Sequence, residues 1–426
     1  MTTTTVASPA EEPQDNDRKR RSRGRSRSNG EGSIFPYRDG YAAYVWVTTP
    51  EGTRKRKWAY GKTRDAVHEK WLKLHSAAQA GPVVTKSPTL GEYLSYWLRE
   101  VVEPNLAPAT AANYDMFVRL YIVPGLGKKR LDKIAVRDVR TWLNQLRDRC
   151  QCCAQGKDER RATEERRCCA NGKCCKQYAS ERTIRDAWTT LRSAMNNAVR
   201  EEIIPRNAAA LVRVPKPRRR KVKPWTVDEA RKFLESARQR RDPLYAAYVL
   251  ILVLGLRRGE VLGLRWADVD LDKAELSIGW QIQRIRGQLL HRQTKTESSD
   301  AVLPLVAICI TALHERVTEQ KRQAAKNDDW HDSGLVFTTA SGFPIEPRNF
   351  NRSFVTSCKR AGVRVIPVHA TRKTCASLLV ALDVHPRVAM MILRHSQIAV
   401  TMEVYTEVSN DDARKALKRL GKRLDT

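Results

Sequence analysis

Four short segments in the second half of the chain concentrate arginine, lysine, histidine and tyrosine. They read GLRRGEVLGLRW (Gly255–Trp266), QTKTESSDAVLPL (Gln293–Leu305), HATRKT (His369–Thr374) and LRHSQIAVTMEVYTEV (Leu393–Val408). A guanidinium binds the oxygens of a phosphodiester in a forked contact, a histidine can accept a proton, and a tyrosine hydroxyl can attack phosphorus. Any one of these residues alone is more often a surface or packing residue. The set and its order indicate chemistry on an anionic phosphate ester.

This order resembles the tyrosine recombinase (phage integrase) family, whose catalytic domain uses Arg, Lys, His-x-x-Arg, His or Trp, and a nucleophilic Tyr. Taken position by position, the resemblance assigns the catalytic set in this chain as Arg257, Lys295, His369, Arg372, His395 and Tyr405. Two local departures, Leu393-Arg394-His395 for the usual Leu-Gly-His and Ala370-Thr371 within the usual His-x-Leu-Arg, change no catalytic atom. The resemblance spans residues 224–425, extends more loosely to the helical segment before them, and is nearest to integrases of actinobacterial integrative elements.

The resemblance implies a division of labour between the positive side chains and the nucleophile. Arg257 and Arg372 would hold the non-bridging oxygens and stabilise the charge that in-line attack concentrates there. A phenol has an ordinary pKa near ~10, so Tyr405 needs electrostatic help and a proton acceptor, for which His369 is the natural base. Glu260, one turn beyond Arg257, is interpreted as an orienting partner.

The remaining implied roles complete the reaction. Lys295 would protonate the departing 5′ oxygen, and His395 would complete the hydrogen bonds to the phosphate. Capture of the strand as a 3′-phosphotyrosine on Tyr405 conserves bond energy, so resealing needs no ATP, metal or other cofactor for the chemistry.

The charge of the whole chain indicates a polyanionic partner. It has 78 Lys and Arg against 47 Asp and Glu, a formal net charge of +31, which favours nucleic acid first and an anionic membrane second. The longest apolar run, Leu244–Leu256, is 13 residues and too short to span a bilayer. The N-terminus lacks an apolar signal core. We therefore expect a cytoplasmic, nucleoid-associated protein whose cysteines are reduced.

The fold class expected is mostly α and multi-domain (α+β). It comprises a small N-terminal β-sheet plus helix unit, a helical core-binding domain and a mixed α/β catalytic domain of the tyrosine-recombinase type. The boundaries expected are a disordered basic tail at 1–32, an arm-type DNA-binding domain at 33–80, the core-binding domain at 88–214 with a Cys-rich insertion at 150–175, a basic linker at 215–223 and the catalytic domain at 224–426.

Periodicity and turn residues predict individual elements within these parts. In the N-terminal unit, Tyr41, Ala43, Val45 and Val47 mark one face of a strand. In the later parts the predictions are helices at Thr110–Tyr121, Val136–Arg147, Ser180–Glu201 and within Leu244–Leu256, a capping box at Thr226–Glu229, and strands within Glu275–Leu305 around a turn at Gly287.

Seven of the ten cysteines lie between Cys150 and Cys175. Cys150 and Cys153 are spaced C-x₂-C, and Cys169 and Cys174 are spaced C-x₄-C, an arrangement that could hold one structural zinc ion in a tetrahedron of thiolates. A reduced, exposed insertion whose thiols have no specific role explains the same sequence. Both interpretations stay open at this point.

The function expected is site-specific DNA recombination through a 3′-phosphotyrosyl intermediate, integrating and excising a mobile element. The partners expected are double-stranded DNA attachment sites, a tetramer of the enzyme on synapsed DNA, and an excisionase or DNA-bending accessory proteins. Alternatives are a type IB topoisomerase-like enzyme, a DNA-binding protein with an inactive site, and an RNA-binding protein. The separate arm-like unit argues against the first, and the filled catalytic set against the other two.

Overall fold

A computed structural model of the chain describes residues 34–49, 52–81, 87–216, 222–294, 301–394 and 402. The chain divides into two compact units, Met1–Pro88 and Thr89–Thr426. No helix among the described residues is long and apolar enough to cross a membrane.

The first unit is an antiparallel sheet backed by one helix. Its elements are β1 (Phe35–Tyr37), β2 (Gly40–Thr48), β3 (Arg54–Gly61) and α1 (Arg64–Ala80), with the strands in the order β1-β2-β3. The inner face of β2 buries Ala43, Val45 and Val47 against Val67 and Trp71 of α1, because alternate residues of a strand point to opposite faces. The predicted sheet and backing helix are confirmed.

The second unit begins with a helical part that has its own core. Its elements are α2 (Leu90–Tyr96), α3 (Glu103–Asn105), α4 (Pro108–Phe117), α5 (Val123–Leu126), α6 (Val136–Asp148), α7 (Gln151–Ala154) and α8 (Glu181–Arg200). Wide π-turns at Trp97–Val102 and Val118–Ile122 join α2 to α3 and α4 to α5. The three helices predicted here are confirmed, although α4 starts two residues early because Pro108 is well placed at a first helical position.

The remainder of the second unit mixes helices with small sheets. Its elements are α9 (Val227–Gln239), α10 (Tyr245–Val253), α11 (Arg258–Leu262), β4 (Val269–Asp270), β5 (Glu275–Ile278), β6 (Trp280–Ile285), β7 (Gln288–Gln293), β8 (Ala301–Pro304), α12 (Ala307–Ala324), α13 (Pro347–Arg360), α14 (Ala370–Ala381) and α15 (Pro386–Leu393). β4, β5 and β8 form one sheet, and β6 and β7 form a hairpin whose turn contains Gly287. The predicted strands, turn and Thr226–Glu229 capping box are confirmed.

Helix α10 is the centre of this part. It packs against α9, α11, α12 and α14, and seven of its nine residues are buried. A helix surrounded on all sides has no polar face, which is why its sequence shows no amphipathic period. The helix is shorter than the apolar run Leu244–Leu256, because Gly255 takes a left-handed conformation (φ +60°) that ends helical geometry.

Candidate active site

The turn after α10 positions the first predicted catalytic residue. Arg257 caps the N-terminus of α11, and its backbone N–H donates to Oε2 of Glu260 at 2.8 Å. Its Nη1 donates to Oε1 of the same carboxylate at 2.6 Å. The Arg257 side chain keeps 39% of its surface exposed, whereas Glu260 is 3% exposed. Glu260 therefore fixes the guanidinium from inside and leaves its outer edge open to a ligand.

Helix α14 brings two more predicted residues to the same place. Arg372 is 5% exposed, and its Nη1 donates to the carbonyl oxygen of Gly255 at 2.6 Å. Glycine suits this position because its φ is +60°, and a Cβ would in addition lie 2.6 Å from Cδ2 of Leu393. His369 is the residue that precedes α14, and it stays accessible to solvent although it is partly surrounded by protein. The end of α10 and the start of α14 thus gather Arg257, Arg372 and His369.

A third arginine, Arg394, enters the site from behind. It ends α15 in a left-handed conformation (φ 52°), and its Nη2 donates to Oε2 of Glu260 at 2.8 Å. Both side chains of this ion pair are almost fully buried, at 2% and 3% exposed. Glu260 therefore bridges Arg257 and Arg394. These contacts agree with the orienting role inferred for Glu260. The second partner, Arg394, was not predicted from the sequence.

The electrostatics of the pocket favour an anion. Burial, together with repulsion from Arg257 and Arg394, lowers the pKa of Arg372 to about 9, although a guanidinium remains charged in proteins. Burial raises the pKa of Glu260, but the charges of Arg394 and Arg257 outweigh burial and hold it below its usual value. One carboxylate thus faces three guanidiniums, and a phosphate would relieve the excess positive charge.

Burial and the same positive charges favour the neutral form of His369. Partial burial lowers its pKa below the ordinary 6.5, and the positive charges of Arg372, Arg257 and Lys373 lower it further. A neutral imidazole at neutral pH can accept a proton, which suits a general base.

We expect the pH profile of cleavage at subsaturating DNA to inflect below pH 6.5. The active form is neutral His369, its pKa is lowered, and activity is therefore retained until the pH falls through that lowered pKa. Lys373→Gln should move the inflection upward, because it removes one repelling charge. Single-turnover cleavage rates between pH 5 and 8 measure this. An inflection at or above 6.5 in the unaltered protein would contradict the assignment.

Arg394→Ala is expected to destabilise the protein by roughly 3 kcal/mol, because it leaves Glu260 with one buried partner fewer. Arg394→Gly should lower the free energy of unfolding by about 1 kcal/mol less than Arg394→Ala does, since glycine adopts the left-handed backbone at no steric cost. Urea unfolding of the two variants, alone and combined with Glu260→Gln, measures these differences. Strictly additive effects in the double variants would show that Arg394 and Glu260 do not interact.

Three other predicted catalytic residues, Lys295, His395 and Tyr405, lie outside the described residues. The structure describes their neighbours Thr294 at the end of the β6–β7 hairpin and Arg394 at the end of α15. The departure from Leu-Gly-His at Arg394 was the available signal for the missed residue. A position where relatives carry glycine often has a left-handed backbone. Arg394 has this backbone and is buried, so its charge needs a buried partner.

The four cysteines predicted to bind zinc are divided between two neighbouring groups of thiols. Cys150, Cys153 and Cys174 lie together, but Cys169 belongs to a second group with Cys152, Cys168 and Cys175. The expected tetrad stays a prediction, and Cys169 borders the group of the other three, with its Sγ 2.8 Å from that of Cys153. Spacing along the chain could not show which sulfur of each adjacent Cys-Cys pair faces which group.

The model of the phage integrase family matches residues 224–412, and that of the phage integrase N-terminal SAM-like domain matches residues 89–147. The chain belongs to the phage integrase family. It is therefore a tyrosine recombinase, an enzyme that breaks and rejoins DNA strands in site-specific recombination. The family resemblance inferred from Arg257, His369, Arg372 and their companions is confirmed.

Relatives of this recombinase include a tyrosine recombinase XerC-like protein of Caldanaerobacter subterraneus, 26% identical over 86% of this chain and 91% of the relative. An integrase of Saccharopolyspora erythraea is 24% identical over 90% and 95% of the two chains. Among solved structures, the Tn1549 transposon integrase in complex with a circular intermediate DNA superposes with a TM-score of 0.60, 19% identity, and 78% and 100% coverage. That structure supports the fold.

Proposed function

We propose that this recombinase is the integrase of a mobile element, and that it joins the element to a host attachment site and releases it again. The observation that carries the proposal is the pocket of Arg257, Arg372 and His369, which presents two guanidiniums and a neutral base to one anion. Guanidiniums that stabilise the charge of the transition state and a base that accepts the proton of the nucleophile are the groups that metal-independent phosphodiester cleavage uses. The relaxing topoisomerase and the inactive DNA-binding protein have no support in the comparisons.

In the proposed reaction, Arg257 and Arg372 hold the two non-bridging oxygens of the scissile phosphate. The Tyr405 oxygen attacks phosphorus, its proton passes to His369, and the bond to the 5′ oxygen breaks. Lys295 protonates that leaving oxygen, and His395 donates a hydrogen bond to the phosphate. The 5′ hydroxyl of another strand then attacks the phosphotyrosine by the reverse route, so no ATP and no catalytic metal are needed.

A basic cleft beside the pocket suits the DNA backbone. It encloses about 600 Å³ and is lined on its basic side by Arg258, Arg284, Arg348 and Arg352. Arg284 is held by Glu346 at 2.8 Å, whereas Arg348 and Arg352 on α13 are exposed. Arginines near the scissile phosphate would hold the adjacent phosphates and so fix the register of the duplex.

The outer face of the N-terminal sheet is a second candidate DNA surface. Arg56 lies over the rings of Tyr44 and Trp46, at 5.1 and 4.8 Å from their centroids, and Arg54 lies over Trp46 at 5.9 Å. Trp46 and Trp58 are 45% and 39% exposed. Exposed arginines stiffened by aromatic neighbours on a sheet fit the arm-type domain inferred for residues 33–80, because a strand pair can enter a major groove.

Arg54→Ala and Arg56→Ala together should weaken binding to a long attachment site and reduce its salt dependence by about 0.9 in log–log slope for each phosphate no longer neutralised. Cleavage of a short core site should stay unchanged, as it should when residues 1–80 are removed. Lys73→Ala is the matched control, because it removes one exposed charge from α1 behind the sheet. Binding titrations at several salt concentrations measure the slopes. Equal slopes in all three proteins would exclude this face from DNA contact.

The partners proposed are double-stranded attachment-site DNA and three further copies of the chain. A λ integrase tetramer bound to a Holliday junction shares the fold, with a TM-score of 0.52 and 17% identity. Exchange of two strand pairs needs four nucleophiles, which supports the same stoichiometry here. We also propose that an excisionase or DNA-bending protein sets the direction of recombination, and that the enzyme works on the nucleoid in the cytoplasm.

The deciding experiment supplies the purified full chain with a supercoiled plasmid that carries the ends of its element and the host site. Recombinant circles that depend on both sites are the expected product. Relaxed plasmid without recombinants would favour the topoisomerase-like alternative, and binding without a covalent protein–DNA adduct would favour the inactive one. Omitting one site at a time is the internal control.

A further inference from the structure

The cysteine-rich insertion connects α6 to α8 and is closed at its base. The backbone N–H of Gln151 donates to the carbonyl oxygen of Gln177 at 2.8 Å, and Arg147 pairs with Glu181 at 3.2 Å. All residues between these two ends are described. The two ends of the insertion therefore lie side by side, where α6 ends and α8 begins.

The seven sulfurs of this loop form two neighbouring groups. Cys152, Cys168, Cys169 and Cys175 form one group, and Cys150, Cys153 and Cys174 form a second, with every Sγ in a group within 4.8 Å of the others. All seven thiols are free, so none is held in a disulfide.

The sulfur distances match those around a tetrahedral metal ion. A Zn–S bond of about 2.3 Å places two sulfurs of a tetrahedron about 3.8 Å apart. The Sγ of Cys152 lies 3.7 Å from that of Cys168, and the Sγ of Cys153 lies 3.8 Å from that of Cys174. One pair in each group thus already has the separation that a shared zinc ion would impose.

The two groups touch each other at two points. The Sγ of Cys150 lies 3.7 Å from that of Cys175, and the Sγ of Cys153 lies 2.8 Å from that of Cys169. Cys169 and Cys175 of the first group therefore border the second, three-sulfur group.

The loop lacks an ordinary hydrophobic core. Its buried apolar cluster consists of Cys150, Cys152 and Cys168 with Cys169 packed against them. A segment whose interior is made of thiols gains little from burial of hydrocarbon, so its folding energy needs another source. Metal ions bound to thiolates supply such energy directly.

The backbone is shaped to present the sulfurs. The buried carboxylate of Asp158 accepts hydrogen bonds from the N–H groups of Arg167, Cys168 and Ala170 at 2.9 to 3.1 Å. Gly172, at φ +70°, then turns the chain between the Cys168-Cys169 and Cys174-Cys175 pairs. These contacts fix the backbone on both sides of the Cys168-Cys169 pair.

We propose that the insertion binds two zinc ions through seven thiolates, one of which bridges the ions. Two tetrahedral ions need eight thiolate positions, and a single shared sulfur reduces the requirement to seven. The first group supplies four ligands, and the second supplies three and borrows the fourth from Cys169 or Cys175. The seven thiol protons leave to solvent on binding.

Charge balance supports the stoichiometry. Two Zn²⁺ ions with seven thiolates carry a net negative charge of about three. Eight basic side chains stand against four acidic ones between Arg149 and Lys176. The backbone N–H of Lys176 also donates to Sγ of Cys174 at 3.4 Å. The surrounding segment therefore compensates the charge of a binuclear centre.

The test measures metal per chain in the full-length protein, purified under reducing conditions without chelator or added metal. Two zinc ions per chain and ten thiols after denaturation in chelator are the expected results. One zinc ion per chain would overturn the binuclear arrangement, and a value near zero or a conversion of thiols to disulfides would overturn the site. In the protein with Co²⁺ in place of zinc, a bridging thiolate would couple the spins of the two ions. A magnetic moment per ion below that of isolated Co²⁺ would therefore support the bridge, and the full moment would overturn it.

Variants locate the shared ligand. Cys168→Ala should lower the zinc content from two to about one, because it removes an unshared ligand of the first group only. Either Cys169→Ala or Cys175→Ala should lose both ions. If neither does, no thiolate is shared and the proposal is wrong. Cys309→Ala, which replaces a buried thiol in α12, is the control and should keep two ions.

Discussion

Tyr405→Phe is expected to abolish strand cleavage and leave DNA affinity within a few-fold of the unaltered enzyme. The substitution removes the single oxygen that would attack phosphorus, while the arginines that bind the phosphate stay in place. A nicked suicide substrate, from which the cleaved fragment diffuses away, traps the covalent adduct of the active enzyme. Denaturing gels then show a slower protein band only where the phosphotyrosine has formed.

Tyr178→Phe is the matched control for this substitution. Tyr178 is half exposed and precedes α8 in the helical part, whereas Arg257 and Arg372 lie at α11 and α14. It should form the adduct at the normal rate. An adduct formed by the Tyr405→Phe protein would place the nucleophile elsewhere and remove the basis for the proposed reaction.

The parts of the fold and site that the sequence predicts are those with a local cause. The apolar run that became α10 could only be a buried element, and the Thr226–Glu229 capping box starts α9 where two hydrogen bonds require it. Arg257, His369 and Arg372 were recognisable for a different reason, the order of their motifs and its resemblance to that of the tyrosine recombinase family.

The parts that the sequence did not predict depend on contacts between distant segments. Arg394 lies 134 residues from Glu260, and the two become a buried ion pair only because α15 packs on α14 and α14 packs on α10. The grouping of Cys169 with Cys152 rather than Cys150 depends in the same way on how Asp158 turns the loop. Spacing along the chain carries no information about either contact.

Arg372→Lys is expected to slow cleavage by roughly two orders of magnitude or more, the effect typical of removing one preorganised donor to a transition-state charge. The Arg372 guanidinium is 5% exposed and already uses Nη1 on the carbonyl oxygen of Gly255 at 2.6 Å. Its planar fork can hold that carbonyl and still present another N–H to the phosphate. A lysine ammonium is a compact point charge and cannot span both partners. Arg257→Lys should behave alike, since Arg257 must hold Glu260 and the phosphate together.

Single-turnover cleavage of a core-site duplex, with binding measured separately, distinguishes an effect on chemistry from an effect on affinity. Because the charge is conserved, the affinity for DNA should change much less than the rate. Arg322→Lys on α12 is the control, since Arg322 forms an exposed ion pair with Glu319 and such pairs contribute about 0–1 kcal/mol. Its cleavage rate should match that of the unaltered enzyme. Near-native cleavage by Arg372→Lys would mean that the scissile phosphate binds elsewhere, because no other arrangement of a lysine at this buried position supplies the forked contact.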